Sequence, residues 1–286
     1  MHSEPLGLER DHDLARMYVL SPYVWPGANA FEILVRGVPK ERNPVKKVSA
    51  IFHGTGDGRH FRMNATPVIA PSVPQDAGGC EDPTVCVDDE ALYVFYSGWS
   101  NEAGRSTLLL AAGRTVEELE KRGAVLPADG AHENPKEATL VRRPDGRWVL
   151  FFEFSRDGHS LIGTALGDRL SGPWQYAREP LPLRAHRFDS WHLSTGPVVT
   201  IGGAPTMFYN GADQRGYWCI GWAAFDEDYA RVVDRCEEPL ISAPQPPGDF
   251  RHTVFASSGV TAKRGIDLYY TAFDAEPFHA MIESLR

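Results

Sequence analysis

RWVLFFEF, residues 147–154, reads as a β-strand whose aromatic and aliphatic side chains leave neither face suited to water. The same kind of strand recurs as FEILVRG (31–37), ALYVFYSG (91–98), PTMFYNG (205–211) and IDLYYTAFD (266–274). With Val35, Phe95, Phe151, Phe208 and Tyr269 taken as equivalent points, the spacings are 60, 56, 57 and 61 residues. A strand precedes the aromatic one across a polar turn, as in ATLVRRPDGRWVLFF, where Pro144-Asp145-Gly146 separates two apolar runs. A third strand rich in small residues follows: VSAIFHG (48–54), STLLLAAG (106–113), SLIGTALG (160–167), YWCIGWAAFD (217–226) and HAMIES (279–284). A fourth is legible in WQYAR (174–178) and ARVVDR (230–235).

Four antiparallel strands per unit, repeated five times, predict an all-β, five-bladed β-propeller forming one domain over residues 1–286. A β-sandwich also spaces its strands evenly, but it gives no reason for a five-fold recurrence of one strand order. The last unit runs out after its third strand, so the amino end, within Leu8 to Leu20, is expected to supply the missing outer strand and close the ring. In TVEELEKRG (115–123), Thr115 and Glu118 make a capping box and Gly123 a stop, which predicts a short surface helix.

Composition narrows the function classes. A 42% hydrophobic share over 286 residues is ample for a core, and 38 acidic against 29 basic residues give a net charge of −9, the wrong sign for a general nucleic-acid binder. Residues 1–16 are too charged for a secretory leader, and the uncharged stretch 190–212 is broken by Gly196, Pro197, Gly202, Gly203 and Pro205, so no membrane span is expected. Cys80, Cys86, Cys219 and Cys236 form no CxxC pair, which points to free thiols and a cytoplasmic location. No metal triad, nucleophile elbow or phosphate-binding glycine loop is present, and no cofactor is expected; His53 and His60 flank GTGDG, which reads as a hairpin turn.

In a propeller, polar residues on innermost strands from different blades can face one central pocket, so the informative charges are those at strand ends. GGCEDPTVCV places Glu81 and Asp82 before an apolar run. Alternation sends the two to opposite faces, and Pro83 restricts Asp82 to extended backbone. HENPKEATLV sets Lys136 and Glu137 at the same place one unit later, SWHLSTGPVV offers Trp191 and His192, and YYTAFD closes on Asp274. Each also has an ordinary reading, as an acidic turn, a strand-end ion pair, a core tryptophan or a turn aspartate.

Together these segments resemble glycoside hydrolase family 130, the mannoside phosphorylases and mannosidases. ILVRGV (33–38) looks like that family's first-blade strand ending in Arg, GCEDPTV (79–85) like its G-x-E-D-P-R segment, and NPKEATL (134–140) like its Lys-Asp-Ala motif with Glu137 for Asp. GGAPTMFYNG (202–211) is similar to the stretch ending Tyr-His-Gly, and RCEEPLISAP (235–244) to an Arg-x-x-x-Pro-Ile-Leu-x-Pro linker. HTVFASSG and LYYTAFD resemble the closing Val-Val-Phe and Tyr-Tyr-Gly-Ala-Ala-Asp.

The resemblance implies a five-bladed propeller, with Asp82 as proton donor, Asp274 contacting the −1 sugar, Arg36 lining the pocket and Lys136 near the anion site. The departures matter as much. Thr84 stands where the family has Arg, and Asn210 where it has His, so two contacts expected for phosphate are lost or weakened. The reading that follows is hydrolysis of a β-mannoside or related small glycoside with inversion, Asp82 as general acid and Glu137 as base, with Glu153 and Asp213 as lesser base candidates. Asp82 would then need a raised pKa, with Glu81 as the neighbour to raise it. Arg36, Glu81, Lys136, Trp191, His192, Asn210 and Asp274 complete the expected substrate site, which takes a small carbohydrate and needs no metal. The alternatives are phosphorolysis with inorganic phosphate, and a catalytically silent propeller that binds a sugar or other metabolite, which the departures at Thr84, Glu137, Asn210 and Thr271 also suit. A homo-oligomer is compatible with all three.

Overall fold

The computed structural model describes residues 2–88, 91–126, 130–246, 248 and 250–285. The described residues form six antiparallel sheets, one of them extended by a parallel edge strand. The first is built from Met17–Pro26, Phe31–Pro39, Ala50–Gly56 and His60–Ile69, the second from Gly79–Asp88, Ala91–Ser100, Arg105–Gly113 and Glu120–Leu126, and the third from Glu133–Arg142, Trp148–Arg156, His159–Gly167 and Gln175–Leu181. The last holds Val254–Ala262, Gly265–Ala272 and Glu276–Ile282 with His2–Pro5 on its outer edge.

Between the third and last sheets, two short sheets lie end to end. His192–Ser194 continues into Val198–Ile201, Ala204–Met207 into Asn210–Ala212, and Trp218–Ile220 into Ala223–Phe225. The break sits at Gly196-Pro197, where proline has no N–H for the ladder. Phe208 N–H still donates to the Pro197 carbonyl at 2.9 Å, and Gly221 N–H to the Tyr209 carbonyl at 2.9 Å, bridging the two halves. A Cβ on Gly196 would lie 1.8 Å from the Phe208 oxygen, so only glycine permits this approach.

The recurring aromatic doublets explain how the sheets are held together. On each second strand, neighbouring side chains leave from opposite faces. Phe95 packs with Leu150 and Phe152 of the third sheet, while Tyr96 packs with Leu34 and Ile51 of the first. Phe151 and Tyr209 meet between the third sheet and the short pair, Phe208 packs against Leu268 and Tyr270 of the last sheet, and Tyr269 against Val35 and Phe52 of the first. Each such aromatic, once buried, contributes about 1.5–3 kcal/mol of transfer free energy. The register also moves one equivalence: Leu34, facing Tyr23, matches Phe95, facing Thr84, so the first-sheet counterpart is Leu34 and not Val35.

Two expectations about elements are corrected. The outer strand of the last sheet is His2–Pro5, not a segment within Leu8–Leu20; Gly7–Glu9 pairs in parallel with His60–Ile69, and Met17–Pro26 is the first strand of the first sheet. The apolar content of MYVLSPYVWP, with Val19, Leu20 and Val24 buried, suits an inner position, whereas HSEP suits an exposed edge. Residues 115–118 form a turn, with Glu118 N–H donating to the Thr115 carbonyl at 3.3 Å, and Glu120–Leu126 is an edge strand. So short a segment cannot nucleate a helix against a sheet edge that offers a ladder and a site for Leu126. The four cysteines are free thiols, and no described helix is long and apolar enough to cross a membrane.

Candidate functional site

One irregularity recurs on the first strands and builds the site. Register shifts fall between Leu20 and Tyr23, Glu81 and Thr84, and Lys136 and Thr139. At each, the first bulged residue takes left-handed backbone: Ser21 at φ 53°, Asp82 at φ 50° and Glu137 at φ 51°. This conformation costs a non-glycine residue about 1–2 kcal/mol and persists only where surrounding contacts impose it. Here they do. Ser21 N–H donates to Thr271 Oγ1 at 2.7 Å, Glu137 N–H donates to Ser97 Oγ at 3.2 Å, and the Thr195 hydroxyl donates to the Glu137 carbonyl.

The bulges turn three side chains toward one cavity of about 230 Å³, lined by Ser21, Arg36, Glu81, Asp82, Lys136, Glu137, Glu153, Trp218, Arg251, Thr271 and Asp274 among others. It opens into a mouth of about 640 Å³ that shares Leu20, Arg36, Glu81, Arg251 and Asp274 and adds Tyr18, Lys47, Trp99 and Phe250. Asp82 is 9% exposed. Ser21 Oγ donates to Asp82 Oδ1 at 2.5 Å, Arg36 Nη1 lies 3.4 Å from the same oxygen, and Arg36 Nη2 pairs with Glu81. Lys136 Nζ is 3.2 Å from Glu153 Oε1.

The Asp82 and Glu137 carboxyl groups face each other in the cavity, and each shifts the other's affinity for a proton. Burial and the Asp82 charge push Glu137 well above the usual carboxylate range. Burial would push Asp82 up as well, but Arg36, the Ser21 hydroxyl and the hydrogen from Glu137 outweigh it and hold Asp82 below its ordinary value. Burial raises Glu81 despite Arg36. For Arg36, burial alone would lower the pKa, yet Glu81 and Asp82 drive it up; Lys136 is raised chiefly by Glu153. Among the described residues, Arg36 Nε and Glu153 Oε2 are buried without a hydrogen-bond partner.

Several expectations are therefore corrected. Glu81 and Asp82 do not diverge: the bulge cancels the alternation, and both contact Arg36. Pro83 does not hold Asp82 extended, and Asp82 is lowered in pKa, not raised. Arg36, Glu81, Asp82, Lys136, Glu137 and Asp274 are gathered at the cavity, whereas Trp191, His192 and Asn210 are not in its lining. Asn210 is fully buried and clamps backbone, donating to the Thr195 carbonyl at 2.6 Å and accepting from Ala256 N–H at 2.7 Å. His192 stacks on the cavity residue Trp218 with ring centroids 5.7 Å apart and accepts from Ser160 N–H; burial lowers its pKa. Asp213 holds a surface turn through Arg215 at 2.7 Å. Thr84 is also spent on structure: its hydroxyl donates to the Ala138 carbonyl at 2.6 Å, as Thr139 donates to Gly196 at 3.0 Å one sheet later.

Ser21, Trp218, Arg251 and Thr271 are additional cavity residues. A sequence signal existed for the first, since LSPYV and EDPTV place Ser21-Pro22 and Asp82-Pro83 61 residues apart. Arg251 sits on an irregular segment with no such pattern.

No family model matches the chain. A β-1,2-mannobiose phosphorylase of Thermoanaerobacter sp. (strain X514) is 25% identical over 293 residues, covering 96% of this chain and 93% of that protein. The chain resembles glycoside hydrolase family 130. The Listeria innocua β-1,2-mannobiose phosphorylase, solved with β-1,2-mannobiose, superposes with TM-score 0.80 at 17% identity, over 97% of this chain and 89% of that one. A structure from work describing glycoside hydrolases within family 130 that target β-1,2 mannosidic linkages in Candida mannan gives TM-score 0.80 at 22% identity, over 94% and 85%. At those identities the structural likeness to family 130 establishes the fold.

Proposed function

We propose that the chain is a five-bladed β-propeller enzyme, its ring closed by the amino-terminal strand, that cleaves β-1,2-linked mannosides by phosphorolysis. The single observation that carries the chemistry is the pair of buried carboxyls, Asp82 and Glu137, gathered in one cavity with Arg36, Lys136 and Arg251; in this reading the pair holds one proton. The mannoside phosphorylase relative across 96% of the chain supports the substrate class and the nucleophile.

In this reading the terminal mannosyl unit occupies the cavity with its glycosidic oxygen at Asp82. Phosphate attacks the anomeric carbon from the opposite side. The new bond to a phosphate oxygen forms as the glycosidic bond breaks, and the proton held by the pair passes through Asp82 to the leaving oxygen. The products are mannose 1-phosphate and the sugar shortened by one unit. Arg36 and Lys136 offset the five acids that line the cavity, and Arg251, at the lip with its side chain 80% exposed and only a 4.0 Å contact to Asp274, is available to the incoming dianion.

This differs from the hydrolytic expectation in one geometric respect. An inverting acid and base stand about 6.5–9.5 Å apart to admit water. Glu137 lies beside Asp82, and burial together with the Asp82 charge strengthens its hold on a proton, which disfavours it as that base. A second reading, hydrolysis with Glu153 as base, is favoured by one specific observation: Thr84 and Asn210 are consumed by backbone hydrogen bonds, while Glu153 Oε2 has no partner. Incubation with β-1,2-mannobiose with and without phosphate separates these. Phosphate-dependent mannose 1-phosphate is expected. Free mannose formed without phosphate and lost in Glu153→Gln would establish hydrolysis, and no turnover of any mannoside would leave a binding propeller.

A further inference from the structure

The mouth over the cavity carries positive charge that its own lining does not balance. KERNPVKKV, residues 40–48, joins the second and third strands of the first sheet and sets Lys40, Arg42, Lys46 and Lys47 against the one acid Glu41. The whole segment is exposed, and among the described residues none of its four cations has an ion-pair partner. In a chain of net charge −9 this is a local excess of the opposite sign. The segment is also held in place. Asn43 Oδ1 accepts from Val45 N–H at 3.1 Å, and Lys47 N–H donates to the Pro44 carbonyl at 3.0 Å. Just beyond, the Ser49 carbonyl accepts from Cys80 N–H at 2.9 Å, which ties the segment to the strand of Glu81 and Asp82.

Lys47 lines the mouth together with Trp99, whose indole N–H donates to Asn101 Oδ1 at 3.1 Å. A Cβ on Gly78 would lie 2.5 Å from Trp99 Cδ1, so glycine there leaves room for the ring. The mouth is continuous with the cavity through Leu20, Arg36, Glu81, Arg251 and Asp274, and its volume of about 640 Å³ is that of a small-molecule site. The other cations of the lining already face acids: Arg36 is engaged by Glu81 and Asp82, and Arg251 stands 4.0 Å from Asp274. Among the described residues Lys47 has no carboxylate against it. A neutral sugar gains little from such an ammonium, whereas a sugar carrying a negative group gains a charge-assisted hydrogen bond.

We infer that the leaving unit is an anionic sugar whose ring lies in the mouth and whose phosphoryl or carboxylate group meets Lys47. The inference rests on the phosphorolysis reading above, and its test runs that reaction toward synthesis from mannose 1-phosphate. The acceptor hydroxyl oxygen bonds to the anomeric carbon as the bond to phosphate breaks; its proton passes to Asp82 and phosphate leaves. Mannose, mannose 6-phosphate and glucuronate are compared as acceptors for wild type, Lys47→Ala and Lys47→Arg, and the readout is kcat/KM for each anion relative to mannose. In wild type one of the anions should exceed mannose by about tenfold, the gain of one charge-assisted hydrogen bond, and which one does so tells phosphoryl from carboxylate. Lys47→Ala should bring the ratio near one, Lys47→Arg should keep most of it, and added salt should shrink it. A wild-type ratio near one for both anions, or a ratio untouched in Lys47→Ala, overturns the inference. Calorimetric titration of the same three sugars, with and without saturating inorganic phosphate, separates this from the catalytic reading. If wild type transfers no mannosyl group yet binds an anionic sugar more tightly than mannose by a margin lost in Lys47→Ala, the catalytic reading fails and the anionic site stands. A margin abolished by inorganic phosphate puts the anion at the nucleophile's site and overturns the inference.

Discussion

Asp189 and Asp82 are both buried carboxylates close to a first strand, and the molecule treats them in opposite ways. Asp189 is fully buried and saturated: Arg184 donates to Oδ2 at 2.7 Å, Arg235 at 2.5 Å and the Tyr209 hydroxyl at 2.7 Å. Asp76 repeats this arrangement two sheets earlier with Lys121, the Tyr96 hydroxyl at 3.0 Å and two backbone N–H groups. Asp82 instead lies beside another acid, Glu137, and its cation, Arg36, is divided between Glu81 and Asp82. Where donors saturate a buried carboxylate, the result is a latch between strands. Where carboxyls crowd together over a cavity, Arg36 Nε and Glu153 Oε2 stay unpartnered and hydrogen-bonding capacity is left over.

Four experiments can break or sharpen this contrast. The largest effect is expected from Asp82→Asn, which should lower kcat by about 10²–10⁴-fold while costing less urea stability than removal of Asp189. A variant that loses stability instead of activity would make Asp82 a third latch. Asp189→Ala should show the reverse, losing about 3–5 kcal/mol of unfolding free energy because Arg184 and Arg235 are left without their counter-charge, with kcat per folded molecule retained.

The third experiment reads Glu137 by pH. The folded state holds this proton more tightly than the unfolded chain, so its stabilising contribution is complete at acid pH and disappears as pH rises through the raised folded pKa. Asp82, whose pKa is depressed, loses its contribution in the opposite direction, as pH falls. Tm measured from the ordinary carboxylate range upward should therefore decline in wild type and stay flatter in Glu137→Gln. The smallest effect is expected from Tyr209→Phe and Tyr96→Phe. Each should cost about 1–3 kcal/mol for one hydrogen bond to a buried carboxylate, with no change in kcat. A fall in kcat for either would mean that latch and cavity are coupled.

The sequence made the sheets legible because the aromatic doublets Phe95-Tyr96, Phe151-Phe152, Phe208-Tyr209 and Tyr269-Tyr270 must each serve two interfaces, and few other residue choices do so. The latches leave a spacing signal that is recognisable only once the structure shows the contacts: Asp76 to Asp189 and Tyr96 to Tyr209 are each 113 residues, and Lys121 to Arg235 is 114. The site was harder. Alternation separates Glu81 from Asp82, and only the bulge, a backbone event with no simple residue signature, reunites them. The same limitation hid Ser21 and misassigned Asn210, whose amide faces backbone and not the cavity. The helix expected at 115–123 and the edge strand expected within Leu8–Leu20 failed because local preference yielded to the demands of sheet edges.

The claim that matters most is that Asp82 and Glu137 hold one proton between them at neutral pH. Infrared difference spectroscopy of wild type against Glu137→Gln tests it. The account predicts a protonated-carboxyl C=O band in wild type at neutral pH that disappears in the variant. A spectrum without that band, or a band that survives the substitution, would show two separate carboxylates and remove the proton on which the proposed cleavage depends.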